Sequence, residues 1–119
     1  MEGGRWLNDR PLAPILGYRF NEQTTVFTDI VVWAPANGKS IRVYGIILST
    51  ATNKTSTISV KFGTGVSAKT LLKLQMGSKS SQVLMFPAPV QGLVNEAVSW
   101  SNTPAADVTL SLFGQEVGG

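Results

Sequence analysis

Residues 61–74, KFGTGVSAKTLLKL, hold the spacing most suggestive of chemistry in this chain. Gly63-Thr-Gly65-Val-Ser-Ala68 fits G-x-G-x-x-A, follows an alternating run and precedes a helix-compatible one. In a dinucleotide-binding unit such glycines open a helix whose amides hold a pyrophosphate, and an acid about 20 residues on binds the ribose. Here the next acid is Glu96, and KTLLKLQM stops at Gly77, too soon for a crossover helix. The expectation is that Gly63 and Gly65 turn a hairpin and that no nucleotide is held.

Other chemistries fail on composition. The chain has no histidine and no cysteine, which removes zinc sites and the Ser-His and Cys-His nucleophile pairs. Hydrolysis by paired carboxylates needs two acids converging on one cleft, but Glu2, Asp9, Glu22, Asp29, Glu96, Asp107 and Glu116 lie toward the two ends of the sequence. No S-x-x-K precedes a helical segment. The expectation is a protein that is not an enzyme and has no cofactor and no metal. Asn53-Lys54-Thr55 is a formal glycosylation sequon, but MEGGRWLNDRPLAP carries no apolar leader, so the triplet reads as turn chemistry. No apolar run is long enough to span a bilayer, and a soluble protein made inside a cell is expected.

The net charge of +3 is unevenly placed. No acid occurs between Asp29 and Glu96, an interval that holds Lys39, Arg42, Lys54, Lys61, Lys69, Lys73 and Lys79. Such a field favours an acidic partner; its plain alternative is a set of lysines protecting exposed strands. Single-stranded nucleic acid would require stacking aromatics beside the lysines. The interval offers only Tyr44 and Phe62, and Phe62 alternates as a core residue, so nucleic acid is disfavoured. Trp33 and Trp100 sit on strand patterns, where core is the plain reading; a glycan platform would need both rings exposed on one face.

The elements that must position these residues are strands. Ile58, Val60 and Phe62 alternate with Ser59 and Lys61, and Val108, Leu110 and Leu112 alternate with Thr109 and Ser111, the period of a half-buried strand. Ile41 and Val43 alternate until Gly45, where a bulge or close backbone approach is expected before Ile46-Ile47-Leu48. Residues 25–33, 71–76, 82–86 and 96–100 complete the set. Turn clusters fall at 35–39, 50–56, 63–68, 77–80 and 101–107, and short strands at this spacing predict a sandwich or barrel. PAPVQGLVN, residues 87–95, carries two prolines yet stays apolar, as expected where a chain crosses between sheets.

The predicted architecture is one all-β domain, an antiparallel jelly-roll-like sandwich of about seven or eight strands over residues 24–119. Residues 1–23 read as an extended N-terminal arm, with room for a first strand at 15–20. Glycines and prolines argue against a regular element there, while Trp6 and Leu7 give the arm something to bury. Arg5, Trp6, Leu7 and Arg10 are its candidate anchor on another subunit, Trp and Arg being frequent hot-spot types.

From Ser40 onward the chain resembles small structural proteins of tailed bacteriophages. The resemblance runs through SIRVYGIILSTAT, STISVKFGTG, LLKLQMGSKSSQVLMFPAPVQGL and NEAVSWSNTPAADVTLSLFGQEV. It implies a jelly-roll-like sandwich that decorates or cements a capsid, often as a homotrimer. The partner would be the major capsid protein and the location the virion surface, after assembly in the host cytoplasm. The lysines of the basic interval would then meet acidic capsid surface. The alternative is a receptor- or glycan-binding module of a phage tail or fibre, which requires Trp33 or Trp100 to be exposed.

Overall fold

A computed structural model describes residues 17–51, 55–103 and 107–118. Eight strands follow in chain order: β1 Gly17–Gln23, β2 Phe27–Trp33, β3 Lys39–Thr50, β4 Ser56–Phe62, β5 Lys69–Met76, β6 Ser81–Gln91, β7 Val98–Thr103 and β8 Val108–Gly118. They form two four-stranded sheets, with orders β1-β8-β3-β6 and β2-β7-β4-β5, and every pairing is antiparallel. The β4–β5 hairpin excepted, each connection carries the chain from one sheet to the other. The all-β antiparallel sandwich is thus the observed fold.

Alternation decides which face of each strand is buried. Ile58, Val60 and Phe62 of β4 and Val108, Leu110 and Leu112 of β8 enter the core as their period requires. Trp100 of β7 is fully buried and stacks against Phe27 at 4.7 Å between ring centroids. Its Nε1–H donates to Asn21 Oδ1 of β1 at 2.9 Å, so the partner that a buried indole needs comes from the opposite sheet.

Gly45 behaves as its place in the sequence suggests. Pairing of β3 with both β6 and β8 shifts between Val43 and Gly45. Before the shift Ile41 and Val43 point inward, and after it Ile46 and Leu48 do, while Ile47 stays half-exposed. One extra residue has moved the buried set from odd to even positions.

Three boundaries differ from expectation. Strand β1 covers residues 17–23, overlapping the first strand expected at 15–20 but running three residues further, and pairs with β8 from Gly17↔Gly114 to Gln23↔Val108. The 87–95 stretch is not all connection, because Pro87 and Pro89 lie within β6. β6 is the outermost strand of its sheet, where a missing amide donor is tolerated. The prolines fall where the partners of β3 jump from Val90 to Met85, and the crossing itself is residues 92–97. Strand β7 runs Val98–Thr103 instead of 96–100, so Ser101 and Asn102, read as turn residues, are paired.

Candidate assembly surface

The glycines of the opening motif turn a hairpin, and the Gly65 amide has an internal partner. Gly63 and Gly65 take positive φ of 86° and 78° in the β4–β5 hairpin, and a single 3-10 turn follows at Gly65–Ser67. The Gly65 N–H donates to Asp29 Oδ2 at 2.9 Å. Asp29, itself at φ 52°, also ion-pairs with Lys61 and receives the Ser101 hydroxyl at 3.5 Å. The Lys61 contact, the Gly65 amide and Ser101 hold its carboxyl below the ordinary range. The group that the Gly65 amide binds is an internal carboxylate.

Two other acids are also committed to structure. Glu116 accepts the Trp33 indole N–H at 2.9 Å and the Ala36 amide at 2.9 Å. Those two bonds, with Arg19 nearby, depress its pKa. Arg19 stacks over the Trp33 ring at 4.2 Å. The ring lies against the paired glycines Gly17 and Gly114, where a Cβ on Gly17 would come within 2.7 Å of it. Glu96 accepts the Leu93 amide at 2.9 Å. Among the described residues no group of three or more acids, histidines or cysteines could hold a metal ion, and no helix is long and apolar enough to cross a membrane.

The basic interval does not form one patch. Lys61 and Lys73 lie on the outer face of the second sheet, Lys73 opposite Ser59. Lys69 begins β5, paired with Phe62. Arg42 is on the first sheet, donating to Gln91 Oε1 at 3.2 and 3.0 Å. Lys39 stands at the start of β3, and Lys79 is in the 77–80 turn at φ 47°. Lys54 and the arm residues Arg5, Trp6, Leu7 and Arg10 lie outside the described residues. Trp33 and Trp100 are both buried, so the exposed platform that the glycan alternative requires is not built from them.

A different surface stands out, and the sequence analysis missed it. On the outer face of the first sheet, register places Tyr18, Phe113, Gly45 and Met85 in one row across all four strands. Phe20, Ser111, Ile47 and Val83 form the next row. Tyr18, Phe20, Val83 and Met85 are 52, 53, 62 and 61% exposed. Polar rows bound this band: Glu22, Thr109, Ser49 and Ser81 on one side, and Arg42, Gln91 and Gln115 on the other. Half-exposed side chains of this size leave ~100 Å² each. The band therefore presents ~400 Å² of apolar surface, as large as the largest patch on an ordinary monomer and typical of an interaction site. The available signal was VLMF at 83–86, a run apolar at both parities on a strand that the prolines mark as an edge.

A cleft of about 380 Å³ opens at the side of the sandwich where β5 and β6, the outermost strands of their sheets, diverge. Phe62, Leu71, Val90 and Leu93 line it, with Lys69 and Glu96 among its polar groups.

No family model matches the chain, and no curated protein matches it. Among solved structures the fold is similar to a chain of Bacillus endospore appendages, described as a family of disulfide-linked pili. The TM-score is 0.53 at 15% identity, over 87% of each chain. At that identity the likeness concerns the fold.

Proposed function

We propose that this chain is a structural building block of a multi-copy protein assembly, joined to its neighbours by non-covalent contact through the apolar band of the first sheet. The observation that carries the reading is the two-row band, framed by polar rows. Interfaces have this anatomy of apolar centre and polar rim. The solved neighbour, a component of pili, lends support from another protein of similar fold. Its pili are disulfide-linked, whereas the present sequence has no cysteine, so its own contacts need area instead of bridges.

Capsid decoration, as a homotrimer on the major capsid protein, is the specific form that the phage resemblance favours. In that form the exposed Lys39, Lys69, Lys73 and Lys79 would meet acidic capsid surface and the arm would anchor on a neighbour. The two forms differ in salt dependence. An apolar contact holds or tightens as salt rises, while exposed charges are screened within a Debye length of about 10 Å at 0.1 M.

Light-scattering mass over a range of concentrations, from about 50 to about 500 mM salt, tests the proposal. The full chain is expected to associate with little salt dependence. Val83→Lys together with Met85→Lys should return it to monomer without changing its unfolding midpoint. A chain monomeric at every concentration, with or without those substitutions, would sink self-association and move the test to isolated phage heads.

A further inference from the structure

The band alone makes a small contact. Matched with an equal face it would bury ~800 Å² in total, below the range of stable specific interfaces. An assembly built on it needs a second point of attachment, and the flank cleft has the properties of one.

We infer, resting on the assembly reading, that this cleft receives residues 5–12 of a second copy of the chain, with Trp6 as the inserted side chain. The cleft, about 380 Å³, is lined by Phe62, Leu71, Val90 and Leu93, with Lys69 and Glu96 of opposite sign beside them. RWLNDRPL, residues 5–12, offers the complement: adjacent Trp6 and Leu7, cations at Arg5 and Arg10, and an acid at Asp9. Glu96 uses Oε1 for the Leu93 amide, and a carboxylate retains further acceptor capacity for a guanidinium. Of the two flanking strands, β6 carries Pro87 and Pro89, which blunt its edge. β5, KTLLKLQM, has no proline and offers its outer backbone groups to an extended segment.

A second copy is the occupant because the assembly reading needs a contact between chains. The same chain's segment would have to pass over β8 and β3, which lie between Gly17 and Val90 in one row. Gly17, where the described chain begins, pairs with Gly114 on the far edge of the first sheet. The β3–β8 ribbon continues past that row to Lys39↔Gly118, so it stands between Gly17 and the β6 flank. A neighbouring molecule approaches the cleft from outside, with no ribbon to cross.

The absence of cysteine from the sequence gives a clean test in the full-length protein. One preparation carries Asn8→Cys and another Thr70→Cys, on the cleft wall; the control is Gln75→Cys, near the far end of β5. Mild oxidation of the first two mixed is expected to give a covalent pair of unlike chains, and the control mixture is not. In parallel, Leu93→Glu and Trp6→Ala should each weaken association about tenfold, Leu93 being exposed enough to change without unfolding the chain. A chain carrying both Asn8→Cys and Thr70→Cys that closes on itself, with no bridge between copies, would overturn the inference. Association that persists with no bridge, unaffected by Leu93→Glu and Trp6→Ala, would overturn it while leaving the band reading intact. A chain that never associates would overturn both.

Discussion

The two outer faces of this sandwich have the same backbone and opposite surfaces. The second sheet shows Thr57, Ser59 and Lys61 on β4, Ser101 on β7, Lys73 and Gln75 on β5, and one exposed apolar side chain, Val31, on β2. Its charge is partly answered on the spot, since Lys61 pairs with Asp29. The first sheet shows Tyr18, Phe20, Phe113, Ile47, Val83 and Met85. Both sheets turn apolar side chains into the shared core, so burial within the chain does not separate the faces. What separates them is what each presents outward: a wet face with small hydroxyls and lysine, and an apolar face that a partner can cover. A functional surface in a small all-β protein is found by comparing its two exteriors.

The comparison can be broken most forcefully from inside. Trp100→Ala should lower stability by about 3–5 kcal/mol, as removal of a fully buried indole does. Phe113→Ser, outward on β8, should change monomer stability by less than about 1 kcal/mol while weakening association. Urea midpoints and light-scattering mass on both variants check the contrast; equal loss of stability would mean that the band belongs to the core.

A smaller effect concerns pH. Asp29 and Glu116 are held below the ordinary carboxylate range in the folded chain, so on acidification the unfolded chain takes up protons first. Their stabilisation is complete above about pH 5 and is lost progressively as pH falls through about 4 and below. Glu116→Gln should flatten the fall in unfolding midpoint between neutral and acid pH. An unchanged slope would show that the Trp33 and Ala36 bonds do not favour the charged form.

The smallest expected change is at Ser56, whose buried Oγ has no hydrogen-bond partner among the described residues. Ser56→Ala should be neutral or stabilising by up to ~1 kcal/mol. A clear loss in the thermal midpoint would reveal a partner for that hydroxyl.

Much of the fold was legible because period-2 alternation reports burial directly. Ile58, Val60, Phe62, Val108, Leu110 and Leu112 are core residues as predicted, and the shift at Gly45 is where the interruption pointed. Strand β6 was read too short because two prolines suggest a break, yet an edge strand tolerates them. Ser101 and Asn102 were read as turn formers, but sheet pairing outweighs their local preference. The band was hidden for a topological reason. Each strand contributes one or two of its residues, and the strands meet in the order β1-β8-β3-β6, which no linear pattern displays. Charge was visible as an interval, but its scatter over two faces and both ends depends on the same winding.

The shift at Gly45 gives β3 something like a reading frame. The strand is parsed in one phase through Val43 and in the other from Ile46, so a scan of single polar substitutions along it should show tolerance alternating, then inverting at that point. Removing the extra residue, Tyr44, would leave plain alternation with Val43, Ile46 and Leu48 all still inward. Adding one between Gly45 and Ile46 would instead turn half of the strand inside out, placing Ile46 and Leu48 among the residues meant for a partner and Ile47 and Ser49 in the core. An added residue at that point would thus damage folding and the outer surface together, whereas most substitutions touch only one of them.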